Sequence, residues 1–244
     1  MLPTDPKDFL AGQVLLIDKP LTWTSFDVVN KVRYQLKRLL NIKKIKVGHA
    51  GTLDPLATGL LIICTGKMTK EINRFQGLSK VYTGSLLLGK STPSFDAETE
   101  VDQEYSLDHI TPELLETARQ SFLGKTEQFP PMFSAVKMDG VPLYKLARAG
   151  KTRELKPRSI EIFDFDIDNE NFPTIDFSIH STKGTYIRTI ASDFGKAVQS
   201  GAYLTKLCRT QIGEFKLDDA WELEELISSI AALKVEESDT SEKK

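Results

Sequence analysis

Apolar positions change their period several times along the chain, and each change marks an element. Val14 to Ile17 is a short apolar run of the size of a buried strand. After Lys19-Pro20 the spacing turns helical: Phe26, Val29, Val32, Leu36 and Leu39 fall on one face, and Ser25 stands where an N-cap belongs. Val81 to Leu88 reads as a strand. Thr111-Pro112 opens a helix that runs through Phe122, with Leu115, Ala118 and Phe122 as its stripe and Gly124 as its stop. A short helix is expected from Pro142 to Ala149, closed by Gly150. Ile160 to Ile167 and Thr174 to Ser181 are predicted strands, the second alternating through Ile175, Phe177 and Ile179. A helix follows Gly184 through Val198, and Trp221 to Leu233 forms a last amphipathic helix. Residues 235–244 are polar and charged, and a frayed tail is expected there. Hairpin-like and crossover connections are mixed and no repeat is visible. The predicted fold is therefore α+β, a mixed central sheet flanked by helices, with residues 1–234 taken together as one domain.

Composition refines this picture through the distribution of charge. The 244 residues carry 32 Lys plus Arg against 34 Asp plus Glu, a formal net charge of -2 that rules out a uniformly basic coat protein. Yet Lys31 to Val47 holds seven basic residues, Lys43, Lys44 and Lys46 among them, and no acid. Lys137 to Arg158 holds seven more, including Arg148, against two acids. Between these runs, Ser94 to Glu116 has eight acids and no Lys or Arg. Each run alone reads more readily as a solvated surface, but two separated runs balanced by an acidic block make a face for a polyanion an equal reading. Cys64 and Cys208 form neither a C-x-x-C pair nor a set with histidine at ligand spacing, so neither a disulfide framework nor a metal site is expected. Neither a secretory leader nor an apolar run long enough to span a bilayer is visible, and a cytoplasmic setting is expected.

Three stretches could carry chemistry. Gly48 to Gly59 packs three glycines, a proline, His49 and Asp54 into twelve residues, a shaped loop followed by an aliphatic run. By composition alone it reads as an Asp-Pro turn with a hydrogen-bonded histidine as readily as a site. Cys64-Thr65-Gly66-Lys67-Met68 is not a P-loop, because no hydroxyl residue follows the lysine. Ser181 to Arg188 lies between an alternating strand and a helix start, where backbone N–H groups and side chains project into a cleft and Arg188 could fork onto a carboxylate. Phe129 to Lys137, with Pro130-Pro131, is stiff and apolar, a scaffold for a loop.

These segments in order resemble the tRNA pseudouridine-55 synthase family. The resemblance rests on Leu16-Ile17-Asp18-Lys19-Pro20 with Thr24-Ser25, the Gly48 to Gly59 loop, Lys80-Val81-Tyr82, Pro130-Pro131 with Ser134-Ala135 and Lys137, Leu143-Tyr144 with Ala147-Arg148 and Gly150, Lys183 to Arg188, and Leu207 with Arg209. It covers most of residues 13–213. It implies the pseudouridine synthase fold and isomerisation of a uridine in the T-arm of tRNA, with no cofactor, no metal and no protein partner, by a monomer. Asp54 matches the family's catalytic aspartate, the nucleophile on ribose or base, because uracil must leave its sugar, rotate and rejoin through carbon inside one site. It must be ionised; an ordinary pKa of about 3.9 favours that, and Arg188 matches the arginine expected to keep it so. Tyr82 matches the tyrosine that stacks on the target base, and Tyr186 and Leu207 those that line the base pocket. His49 matches the histidine that fills the space of the flipped nucleotide. Lys19, Lys43, Lys44, Lys46, Lys137 and Arg148 are candidate RNA contacts.

Two departures accompany the resemblance. Longer bacterial relatives carry a small RNA-binding (PUA-type) domain after the catalytic one, and the residues after Gly213 are expected to be too few for it. In Gly89 to Asp96 the family's Thr and Asp are kept as Thr92 and Asp96, while Pro93 and Thr99 replace an acid and a glycine. The same chemistry on another RNA, or an RNA-folding chaperone, are the alternatives. Asp54, Tyr82 and Arg188 together favour the enzyme.

Overall fold

The structure is a computed structural model that describes residues 2–134, 137–138, 140–143, 146 and 155–233. The expected tail at 235–244 and most of the expected helix from Pro142 to Ala149 lie outside the described residues, and Pro142 itself pairs with Lys137 in a two-stranded ladder. The chain divides into two compact units. Residues up to Gly77 with those from Gln211 onward form the first, and Leu78–Thr210 the second.

In the first unit, β1 (Val14–Lys19) is followed by α1 (Ser25–Leu39), β2 (Val47–His49) and β3 (Ala57–Thr65). β1 runs antiparallel to β3, from Val14 opposite Cys64 to Lys19 opposite Gly59, and β2 also pairs with β3. Leu60 to Cys64 are fully buried. A strand covered on both faces loses its alternation, which is why the sequence shows β3 only as an aliphatic run. Thr24 rather than Ser25 caps α1, exchanging side-chain and backbone bonds with Asp27 in a capping box, a motif worth about 1 kcal/mol. The buried stripe is Val28, Val29, Val32 and Leu36, while Phe26, expected on that face, is 59% exposed. The closing helix begins at Leu223, not Trp221, because Trp221 and Glu222 pair in parallel with Ile17 and Asp18. Its Leu223, Leu226 and Ile230 complete the core with Val28, Val32 and Leu36 of α1 and Leu61 and Ile63 of β3. The parallel and antiparallel neighbours of β1 make the sheet mixed, as expected.

The second unit contains β4 (Lys80–Leu88), α2 (Pro112–Ser121), β5 (Gly124–Gln128), β6 (Arg158–Asp168), β7 (Thr174–Ser181), α3 (Ile187–Ala197) and β8 (Ala202–Ile212), whose last two residues belong to the first unit. Strand order is β8-β4-β7-β6-β5. Thr111 caps α2 by accepting from Leu114 N–H, with Pro112 in the first turn, and Leu115 and Ala118 are buried as the stripe predicts. Phe122 packs edge-on to Phe165 and tilted on Phe194 of α3. Gly195 is required by packing: a Cβ there would stand 2.3 Å from the Ala202 amide nitrogen. β8 escapes the sequence pattern because the polar residues Thr205, Lys206, Arg209 and Thr210 interrupt its alternation. No helix of the described residues is long and apolar enough to cross a membrane.

Candidate active site

Asp54 sits in a turn closed by Ala57 N–H donating to its own carbonyl at 3.0 Å. The residues on both sides of it are tied down through their main chain. Ser25, freed from capping, stands at the buried start of α1; its hydroxyl accepts from Leu53 N–H at 2.9 Å and donates to Leu53 carbonyl at 3.3 Å. On the other side, the carbonyl of Pro55 accepts from Thr22 N–H at 2.8 Å and from the Lys19 ammonium at 3.5 Å. Lys19 also donates to the carbonyls of Pro20 at 2.8 Å and Trp23 at 2.6 Å. Further along, Asp18 Oδ1 accepts from Gly59 N–H at 3.0 Å. Asp18-Lys19-Pro20 and Thr24-Ser25 thus act as one bracket around the Asp54 turn. This corrects the expectation for Lys19: it is 0% exposed, its charge turned onto three carbonyls, and it is an internal strut rather than an RNA contact. Burying an ammonium is costly, and it is tolerated where several oxygens replace its hydration.

His49 ends β2, half-buried and opposite Ile63, and Ala50 N–H donates to Ile62 carbonyl at 2.9 Å as the loop leaves β3. Lys43, Lys44 and Lys46 are exposed. Lys137 is described only as part of the Lys137–Met138 strand, and Arg148 lies outside the described residues.

In the second unit, Tyr82 is nearly buried on β4, opposite Ile179 of β7. Two positions earlier on the same face, Lys80 is buried opposite Ser181 and donates to Leu78 carbonyl. Burial, with Arg209 and Lys183 adding like charge, pushes the Lys80 pKa down to about 8. Tyr186 stands immediately before α3 with no side-chain cap of its own. The buried amide of Gln128 serves instead: its oxygen accepts from Tyr186 N–H at 2.8 Å and its nitrogen donates to Tyr186 carbonyl at 3.1 Å. Arg158 lies over the Tyr186 ring at 5.8 Å. Two residues on, in the first turn of α3, the Arg188 guanidinium is 4% exposed; it donates to Phe133 carbonyl at 2.8 Å and Ser94 carbonyl at 3.3 Å, and pairs with Asp96 Oδ2 at 3.4 Å. Asp96 is itself held, its other oxygen accepting from Glu98 N–H at 2.9 Å and its carbonyl from the Thr92 and Ser94 hydroxyls. Thr99, at the family's glycine position, bonds the hydroxyl and the amide of Ser94 through its own hydroxyl. Leu207 is half-buried on β8.

Tyr82, Tyr186, Arg188 and Leu207 thus belong to one unit and His49 and Asp54 to the other. Three residues that orient them escape a reading of the sequence: Ser25, which looks like a cap; Asp96, which stands there without a role; and Gln128. Ser25 and Asp96 are marked in the sequence only by the family resemblance, and Gln128 by no local pattern. Among the described residues no group of three or more His, Cys, Asp or Glu could hold a metal ion.

Comparison with known proteins bears on the family and the fold. The model of the TruB family pseudouridylate synthases, N-terminal domain, matches residues 37–187, a span running from the end of α1 past the Asp54 turn to Tyr186 and the start of α3. The chain is 53% identical over 216 residues to the tRNA pseudouridine synthase B of Flavobacterium johnsoniae, covering 88% of this chain and 94% of that one. It is 51% identical over 230 residues to that of Phocaeicola vulgatus, covering 94% and 98%. In solved structures, a Cbf5-Nop10-Gar1 complex contains a chain similar at TM-score 0.68 and 25% identity over 93% of this chain. An H/ACA RNP bound to a substrate RNA containing 2'-deoxyuridine contains one similar in fold at TM-score 0.65 and 22% identity over 91%. This chain spans 56% and 54% of those two. Fold and sequence define a pseudouridine synthase, an isomerase. More narrowly, the chain belongs to the TruB family of pseudouridylate synthases.

Proposed function

We propose that the protein converts uridine 55 in the T-arm of tRNA to pseudouridine. The observation that carries the reading is the bracket around Asp54. Four backbone bonds from Ser25, Thr22 and Lys19 fix Leu53 and Pro55, so the intervening carboxylate is presented from a preorganised turn. The names of the relatives, tRNA pseudouridine synthase B, supply the substrate class.

In this reading the target nucleotide is flipped out of its loop at a cost of a few kcal/mol, with His49 filling the space it leaves. Asp54 attacks ribose or base as nucleophile. The N1–C1' bond breaks, the freed uracil turns, C5–C1' forms, the bond to Asp54 breaks to return its carboxylate, and the proton leaving C5 is balanced by one gained at N1. Atoms and electrons balance within the substrate, so the chemistry calls for no redox partner, metal or cofactor. Tyr82 stacks on the base, Tyr186 and Leu207 form the flat apolar wall on which it turns, and Arg188 favours the ionised form of Asp54. Lys43, Lys44, Lys46, Lys137 and Arg148 contact the phosphate backbone. The protein acts as a monomer in the cytoplasm, without a protein partner.

The test is to incubate purified protein with a tRNA transcript and map pseudouridine along its length. Modification confined to position 55 is expected. Modification elsewhere, or none, overturns the assignment.

A further inference from the structure

Two buried cations of the second unit have no part in that chemistry. Lys80 is 5% and Arg209 1% exposed, and each stands two residues from a side chain assigned to the base: Lys80 precedes Tyr82 on β4, and Arg209 follows Leu207 on β8. Side chains alternate along a strand, so each cation shares the face of its neighbour, roughly 7 Å away along the chain. β8 lies beside β4. The Thr205 hydroxyl donates to Ser85 carbonyl at 3.0 Å and the Thr210 hydroxyl to Val81 carbonyl at 3.4 Å, so the strands run in opposite directions and bring Arg209 to the Lys80 end of β4. Opposite Lys80 on β7 is Ser181, on the same buried face as Ile179, which stands opposite Tyr82. Ser181 is 0% exposed, and among the described residues its hydroxyl has no hydrogen-bond partner. A cation buried under the like charges of Arg209 and Lys183 and a buried hydroxyl left unpaired both cost stability. Such costs gather where a ligand meets them.

We propose that Lys80, supported by Arg209 and the Ser181 hydroxyl, stabilises the negative charge that the uracil ring takes on during the isomerisation. This role rests on the base wall of Tyr82 and Leu207 proposed above and gives that wall an electrostatic end. Attack on the ribose expels uracil with the N1–C1' bonding pair, its charge spread over N1, O2 and O4. Attack on the base instead drives a pair onto C5 and O4 as an enolate. By either route the ring gives a pair back to C1' when C5–C1' forms, so the charge appears and vanishes within one site. A fixed cation in a water-poor setting answers such a charge through its field, without contact and without reorganising. Lys80 gains and loses no proton in the step.

The test measures single-turnover pseudouridine formation on a tRNA transcript, with enzyme in saturating excess, from pH 7 to 9 for wild type, Lys80→Met and Lys80→Arg. Thermal midpoints are recorded alongside. Besides Tyr82 on its own strand, the charged groups acting on Lys80 are Arg209 of β8 and Lys183 of the loop after β7. At pH 7 Lys80 is charged, and the Met variant should be about tenfold slower at unchanged tRNA affinity. With the Lys80 pKa at about 8, the advantage of wild type over Met should shrink to about twofold by pH 9. An arginine does not titrate in this range, so the Arg variant should gain on wild type by about threefold or more between pH 7 and 9. That gain decides the matter should the Met variant fail to fold. A folded Met variant within about twofold of wild type at pH 7, a wild-type-to-Met ratio that does not change with pH, or an Arg variant that declines in parallel with wild type overturns the proposal. Absence of pseudouridine with wild type counts instead against the proposed function.

Discussion

Asp54 and Arg188 are held in different ways. The bracket around Asp54 grips main chain: Leu53, Pro55 and Gly59 are bonded by Ser25, Lys19, Thr22 and Asp18, so the turn is shaped from the residues on either side of the carboxylate it presents. Arg188 is anchored through its own guanidinium, on Phe133, Ser94 and Asp96. The difference separates reactivity from architecture. In the proposed function a change at Asp54 alters the chemistry, while the main-chain bonds to Leu53, Pro55 and Gly59 do not depend on its identity. A change at Arg188 removes a group and also opens the bonds by which the 92–96 turn and the Phe133 carbonyl are fastened to α3.

The largest effect should come from Asp54→Asn. It removes the proposed nucleophile and keeps size and polarity, so turnover should fall by about three orders of magnitude or more, while thermal midpoint and tRNA affinity stay near wild type. Residual turnover above roughly a tenth of wild type removes Asp54 from its role, and a large loss of stability breaks the comparison. Arg188→Lys should differ in kind. An ammonium cannot span two carbonyls and a carboxylate as a planar fork does, so kcat should drop about a hundredfold, near 2.7 kcal/mol, and the thermal midpoint should fall with it. Loss of activity at full stability would place Arg188 beside Asp54 in type rather than opposite it.

The supports themselves are next in size. Lys19→Met keeps the length of the side chain but withdraws the donor from the Pro20 and Trp23 carbonyls, which costs on the order of 2–4 kcal/mol in urea unfolding. An unaltered unfolding midpoint would mean that the buried ammonium is no strut. Gln128→Leu leaves Tyr186 N–H without its acceptor and the Tyr186 carbonyl with the Ile190 N–H alone; kcat/KM should fall about tenfold, the equivalent of 1.4 kcal/mol of misplacement. Gln128→Glu still accepts from the N–H but no longer donates to the carbonyl, and should lie between wild type and the Leu variant. Leu and Glu variants of equal activity would reduce Gln128 to packing.

How far the sequence reveals this arrangement depends on the distance over which each bond acts. The Asp54 turn is legible because three glycines and a proline crowd into twelve consecutive residues. The α1 and α2 stripes are legible because their period is local. Ser25 is misread as a cap, since its partner Leu53 lies 28 residues away and the neighbouring Thr24 offers the same chemistry. Gln128 acts on Tyr186 from 58 residues away, and no periodic pattern marks such a pair. Lys19 shows the same limit for charge: next to Pro20 and ahead of a basic helix it reads as a surface cation, and only the fold brings Trp23 and Pro55 carbonyls around it. Strand β8 is hidden for a different reason, because its polar side chains break the alternation by which strands are recognised.

The smallest effect concerns Lys80, a second buried ammonium, which contrasts with Lys19 inside the other unit. Desolvation, with the like charges of Arg209 and Lys183, lowers its pKa from 10.5 to about 8 on folding. The sign follows from proton counting. Below pH 8 both folded and unfolded states hold the proton, and the folded state bears the full cost of a charged, desolvated amine. Between pH 8 and 10.5 the unfolded state binds more protons than the folded one, so the Lys80 contribution to stability rises with pH, by at most about 1.4 kcal/mol per pH unit. The unfolding free energy of wild type relative to Lys80→Met should therefore shift in wild type's favour as pH is raised through this window, the other lysines cancelling in the difference. A difference that stays constant from pH 7 to 10.5 would show that Lys80 titrates as an ordinary surface lysine, and that its neighbours on β4 and β8 leave it solvated.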